Sequence, residues 1–160
     1  MPDIFDPRKR SEIMGKIRST GTAPEVHLQR MVRAILGHRW RIEYNVGDLP
    51  GKPDVLIPTL SLIVFLDSCF FHQCPQHGRI PDTNQAYWKP KLAKNVKRDR
   101  ANRRKLRSMG YSVWRFWSHD LNGRRIEVTY SKLERRLLLR VEMWNRLGRP
   151  RSPGVTVGRL

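Results

Sequence analysis

Residues 48–77 read DLPGKPDVLIPTLSLIVFLDSCFFHQCPQH, and this stretch constrains the fold more than any other part of the chain. It holds two apolar runs, 55–57 and 60–66, broken by Pro58-Thr59. Both are too short for buried helices, and the break is turn chemistry. The runs therefore read as an antiparallel hairpin, 54–57 against 62–66 around residues 58–61. That register sets Asp54 opposite residues 65–67. Directly after the second strand come Asp67, Cys69, Phe70, Phe71, His72, Cys74 and His77. One strand end then carries carboxylates, an imidazole, a backbone carbonyl and two soft metal ligands. Strands that serve structure alone rarely end with so much chemistry, so the stretch reads as an active site.

The partner follows from charge. Against 14 Asp+Glu stand 32 Lys+Arg, a net charge of +18 over 160 residues. An excess of that size points to a polyanion, and nucleic acid comes first. A membrane surface is the rival. The chain has no apolar run of transmembrane length and no N-terminal signal with an apolar core, so a cytoplasmic protein is expected. In a reducing compartment both cysteines, clustered as Cys69-x4-Cys74 beside His72 and His77, favour a metal over a disulfide.

The remaining chain supplies one domain. Residues 1–10 read as a basic arm, 11–147 as the folded domain, and 148–160 as a loose tail. A short helix is expected over 11–18. Thr22-Ala23-Pro24-Glu25 has the form of a capping box opening a helix, with Leu28, Val32, Ile35 and Leu36 on one face and Gly37 at its end. Trp40, Ile42 and Tyr44 alternate with charged residues, predicting a strand over 40–45. A long basic helix is predicted over 85–109, with Trp88, Leu92, Val96 and Leu106 near one face and Pro90 early in it. Residues 111–117 alternate as a strand, and Leu133, Leu137, Leu138, Val141 and Trp144 mark a last helix. Three strands, a helix and a strand, with helices at both ends, make an α/β domain with a mixed sheet, the long helix crossing over between parallel strands.

Each candidate residue has a plainer alternative. Asp54 alone would be a turn residue; beside Asp67 and His72 it reads as a Mg²⁺ ligand, because phosphodiester hydrolysis needs carboxylate and carbonyl oxygens around the ion. The Leu66 carbonyl is the expected second ligand. Asp67 is either a third ligand or an orienting partner of His72. His72 itself reads as the general base that takes a proton from water. Cys69, Cys74 and His77 have soft-ligand spacing with one position vacant, and His119 is the remaining histidine at a strand end. A structural zinc site follows, against an alternative of reduced core thiols and surface histidines. Glu25 is explained by its cap alone. Asp99 lies near the apolar stripe of the long helix and needs a partner, either a neighbouring arginine such as Arg103 or His72. Residues 89–125 hold thirteen Lys/Arg and two Asp, which makes them the expected phosphate-facing surface. Phe70 and Phe71 are either core or a wedge into a base stack.

The motifs RSEIMGKIRSTGTAPE, LPGKPDVL, IVFLDSCFFHQCPQHGRIP, WKPKLAKNVKRDR and VWRFWSHD, in that order from about Arg10 to Leu121, resemble the very-short-patch-repair (Vsr) DNA mismatch endonucleases. The resemblance implies a restriction-endonuclease-like fold with a structural zinc site. It implies nicking of the thymine strand at T·G mismatches left by deamination of 5-methylcytosine. By position, Asp54 resembles the Mg²⁺ ligand, His72 the catalytic histidine, and Glu25 and Asp99 the additional acidic positions. Cys69, Cys74, His77 and His119 stand where family members hold zinc. Met14, Phe70, Phe71 and Trp88 match positions that intercalate at or flank the mismatch, and Lys94, Asn95 and Arg98 are expected to contact the DNA. The implied partners are double-stranded DNA and mismatch-repair proteins, for a monomer in the bacterial cytoplasm, associated with the nucleoid. The chain departs from the family at Ser68 (usually glycine), Phe71 (usually tryptophan) and Asp67 (histidine in some members). The lysine of the general restriction-type motif is missing after the second strand, so His72 must serve in its place. The rivals are a nuclease of the same fold with another DNA target, and a zinc-containing DNA-binding protein without catalysis.

Overall fold

A computed structural model describes residues 21–147. The basic arm, the expected helix over 11–18 with Met14, and the tail at 148–160 lie outside the described residues.

Helix α1 (Ala23–Leu36) buries Leu28, Met31, Val32 and Leu36, and it ends at Gly37, whose φ of 69° is a left-handed value that glycine adopts without strain. Its start differs from a reciprocal capping box. The Thr22 hydroxyl donates to Glu25 Oε1 at 2.8 Å, and the Gly21 N–H donates to Glu25 Oε2 at 2.7 Å. The Thr22 side chain thus caps no helix N–H and pairs with the Glu25 carboxylate instead.

The expected strand over 40–45 shrinks to β1 (Glu43–Tyr44), paired through Glu43↔Leu56 and Tyr44↔Val55. Asn45, at φ 52°, ends it, while Trp40 turns away to meet Trp144 edge-on at 5.5 Å. The hairpin forms between β2 (Val55–Ile57) and β3 (Leu62–Asp67), in the register Val55↔Val64 and Ile57↔Leu62. A 3-10 turn, Pro58–Leu60, and Ser61 at φ 46° connect them. Helix α2 (Gln85–Ser108) then crosses over to β4 (Ser112–Trp117), which lies parallel to β3 from Leu62↔Ser112 to Asp67↔Trp117. The sheet order is β1-β2-β3-β4. A second 3-10 turn, Ser118–Leu121, leads to α3 (Arg125–Leu147).

Successive strand residues face opposite sides, and the two sides make two cores. Val55, Ile57, Leu62 and Val64 meet Leu28 and Val32 of α1 and Leu133 and Leu137 of α3. Leu56, Ile63 and Phe65 meet Leu106 of α2 and Tyr111. The sheet is thus the middle layer of three, and its β3 strand is covered on both faces, which explains an unbroken apolar run. Two helix details differ from the sequence pattern. Leu138 is 52% exposed, because Leu133, Leu137, Val141 and Trp144 form the row that faces the sheet and residue 138 sits about 100° away from 137. Pro90 lies inside α2, past its first turn, and Val96 is only half-buried where Trp88, Leu92 and Leu106 are buried.

Candidate active site

Topology brings the chemistry together. In the hairpin the start of β2 lies beside the end of β3, and the parallel pairing sets the end of β4 next to it. The loops after β3 and β4 therefore leave from one end of the sheet, and α2 passes behind them.

Asp54 just precedes β2. Its Oδ2 accepts a 2.7 Å hydrogen bond from the Leu66 N–H, so the acid and the Leu66 backbone share one strand end. Burial, with the nearby carboxylates Glu25 and Asp67, pushes Asp54 up to about 7, against the downward pull of the Leu66 N–H. A carboxylate so disfavoured in its charged form gains from a cation, and the donors around it are hard oxygens of the kind that hold Mg²⁺. Glu25, itself buried, comes to this region on the first turn of α1.

His72 lies in the loop after β3. Its Nδ1 is 2.6 Å from Asp99 Oδ2 on α2. Asp99 thus pairs with the histidine, while Arg103, its alternative partner, turns toward Asp67 at 3.8 Å. Burial pushes the Asp99 carboxyl up, but the His72 hydrogen bond and the cationic surroundings of His72, Arg98 and Arg103 outweigh it and hold the group below the usual carboxylate range. With Asp99 charged, Nδ1 carries the proton and Nε2 is left as an acceptor. That is the tautomer a general base needs.

Asp67 is 4% exposed and sits on the α2 side of β3. Arg115 of β4 donates to its Oδ2 through Nε, and His72 Nδ1 lies 3.7 Å from its Oδ1. Sequence reasoning did not single out Arg115. The signal available was its place between Trp114 and Phe116 in an alternating strand, where an arginine needs a partner.

Cys69, Cys74, His77 and His119 come together with their ligand atoms within 4.8 Å of one another. His119 Nδ1 lies 3.1 Å from Cys69 Sγ, 3.6 Å from Cys74 Sγ and 3.2 Å from His77 Nδ1. Vertices of a tetrahedron drawn about 2.0 Å to nitrogen and about 2.3 Å to sulfur are roughly 3.3–3.8 Å apart, close to these spacings. The cluster could hold one metal ion. Burial holds His119 below its ordinary value, aided by His77 and Arg125 against Asp120, which favours the neutral ligand form. Its Nε2 faces Asp120 Oδ1 at 3.3 Å, the carboxylate support that orients many metal-binding imidazoles. Gly78 lets the loop close: a Cβ there would lie 2.6 Å from the Cys74 carbonyl oxygen.

Phe70 packs edge-on against Phe71 at 5.0 Å and against Trp88 at 5.1 Å. Trp88 is buried, whereas both phenylalanines are half-buried beside the His72 loop. On α2, Lys94 and Arg98 are exposed, and the Asn95 amide donates to the Phe71 carbonyl at 3.3 Å. Among the described residues no helix is long and apolar enough to cross a membrane.

A base oriented by a carboxylate, next to acids that suit a hard cation and on so basic a protein, is equipment for hydrolysing a polyanion, and the class of protein it defines is the nucleases. Comparison with known proteins narrows this. Residues 2–76 match the model of the DNA mismatch endonuclease Vsr family. The chain is 43% identical to the type II nicking enzyme V.NaeI of Lentzea aerocolonigenes, over 69% of this chain and 68% of that one. It is 38% identical to the type II nicking enzyme V.NmeAIP of Neisseria meningitidis, over 79% and 89% of the two chains. It is 30% identical to the DNA mismatch endonuclease Vsr of Escherichia coli, over 86% of each. The chain belongs to the Vsr family, and it is a DNA endonuclease.

Proposed function

We propose that this endonuclease nicks the thymine-bearing strand of duplex DNA at T·G mismatches, in a Mg²⁺-dependent reaction of very-short-patch repair. The observation that carries the catalytic part is the 2.6 Å His72–Asp99 pair in the loop that follows β3, whose end also receives Asp54 through the Leu66 N–H. His72 Nε2 accepts a proton from water, the water oxygen attacks phosphorus, and the bond to the leaving sugar oxygen breaks. Asp99 keeps the other ring nitrogen protonated and stabilises the imidazolium that forms. Asp54 and the Leu66 carbonyl would hold Mg²⁺, with Glu25 as a further acid nearby. When bound, the ion supplies charge stabilisation for the phosphoryl oxygens.

Cys69, Cys74, His77 and His119 would hold a structural zinc, since thiolate and imidazole donors at tetrahedral spacing suit that ion. It would clamp the His72 loop to the turn after β4. Phe70 and Phe71 are the wedge candidates, and Trp88 backs them. Lys94, Asn95 and Arg98 are the expected contacts from α2. The reading includes a monomer of one endonuclease domain over residues 11–147, acting in the bacterial cytoplasm.

The printed names of several relatives, type II nicking enzymes, keep a second reading in view: nicking of duplexes chosen by sequence and not by mismatch. The test is a set of strand-labelled duplexes carrying T·G, T·A or C·G at one site, incubated with protein and Mg²⁺. Nicking of the thymine strand in the T·G duplex alone is the expected result. Equal nicking of T·A would overturn the mismatch assignment, and no product with any duplex would leave only DNA binding.

A further inference from the structure

Two carboxylates face one imidazole nitrogen. Asp99 Oδ2 is 2.6 Å from His72 Nδ1 and Asp67 Oδ1 is 3.7 Å from it. A single proton on Nδ1 cannot serve both, so something must keep Asp67 from competing. Arg115 is placed to do so. Its Nε donates to Asp67 Oδ2, its Nη2 is 3.5 Å from the His72 carbonyl oxygen, and its guanidinium lies over the Trp117 ring at 3.8 Å. The parallel register aligns Phe65 with Arg115 and Asp67 with Trp117, so the side chain reaches forward along the sheet to the acid. Arg103 of α2 adds a second positive charge 3.8 Å from the same oxygen.

We propose that Arg115 is a positioning residue for the nicking reaction: it occupies Asp67 and braces the His72 backbone, so that the imidazole is oriented by Asp99 alone. This rests on the assignment of His72 as general base. Losing an outer partner of this kind typically costs about 10–100-fold in activity, because a ring free to turn spends less time in the productive pose. Arg115→Met leaves Asp67 buried with only the more distant Arg103, and the carboxylate then draws the His72 N–H toward itself. Asp67→Asn combined with Arg115→Met removes the competing charge.

The experiment uses zinc-loaded, full-length protein and a labelled T·G duplex under single-turnover conditions, with duplex affinity measured separately. Arg115→Met is expected to nick about 10–100-fold more slowly than wild type. Its affinity should stay within about twofold, because the lost contacts are internal to the protein. The double variant is expected to recover to within about threefold of wild type, and it removes both members of the buried pair, so it remains informative if the single variant fails to fold. Nitrogen NMR of the His72 ring, which needs no activity, should show a single Nδ1-protonated environment in wild type and a broadened or doubled one in Arg115→Met. Wild-type nicking by Arg115→Met, or a double variant as slow as the single, overturns the proposal. So does a fall in affinity that matches the fall in rate, since Arg115 would then be a DNA contact. A wild-type protein that nicks no duplex removes the assigned function, and the ring spectra still decide what orients His72.

Discussion

Replacing Asp99 by asparagine tests the centre of the site. The side chain is 12% exposed and its partner His72 25%, so the 2.6 Å contact between them is largely shielded from water. A hydrogen bond to a charged group contributes about 1.5–3 kcal/mol, which is roughly 10–150-fold in rate if the whole contribution acts on the oriented base. Asparagine adds a second effect. If its NH₂ turns toward Nδ1, the ring proton moves to Nε2 and the acceptor needed for water is lost; a wrong tautomer of this kind costs up to about 10⁴-fold. Asp99→Asn should therefore slow nicking by about 10²–10⁴-fold, while duplex affinity stays the same or rises because one negative charge is gone. The assay is single-turnover nicking of a labelled T·G duplex with enzyme in excess. A rate within about threefold of wild type at saturating enzyme would refute the role given to this pair, since even the lower bound of the hydrogen-bond contribution exceeds it. Stability carries a second signature. Asp99 holds its proton less tightly when folded than when unfolded, so its contribution is fully present above about pH 4 and is lost as the pH falls through the depressed folded value. Asparagine should flatten that acid limb in a pH series of melts.

Asp54→Asn should abolish nicking and leave duplex binding intact or tighter, as gel shifts beside cleavage assays will show; wild-type cutting would remove Asp54 from the mechanism. Cys74→Ser should lose metal and thermal stability together, because Cys74 is 2% exposed within the four-ligand cluster. Metal analysis of wild type should find about one zinc per chain, and a metal-free protein of full stability would sink that site. Phe70→Ala with Phe71→Ala should reduce T·G cutting far more than non-specific binding, once a melt has shown that the variant folds; a retained T·G preference would place selection elsewhere. Lys94→Ala with Arg98→Ala should weaken all duplexes alike and flatten the dependence of affinity on salt, whereas a loss confined to T·G would contradict a phosphate role.

The hairpin, the crossover helix and the terminal amphipathic helix were legible because their signals are local. Pro58 marks a turn, Gly37 an end, and the spacing of Leu133 and Leu137 one helix face. The grouping of Cys69, Cys74 and His77 was legible for the same reason, since they are neighbours in one loop. The family motifs supplied roles for Glu25 and Asp99 that spacing alone left open. The tertiary structure decided which of two partners Asp99 takes, because only the packing of α2 against the β3 end sets His72, and not Arg103, within 2.6 Å of it. It also decided the company of Asp67. Arg115 stands 48 residues further along, and the parallel register of β3 and β4 makes them neighbours. A sequence records which side chains exist and how near neighbours repeat. Charge pairing in a buried site depends on distances of a few ångströms between segments joined by a long crossover, and those distances exist only after the sheet has closed.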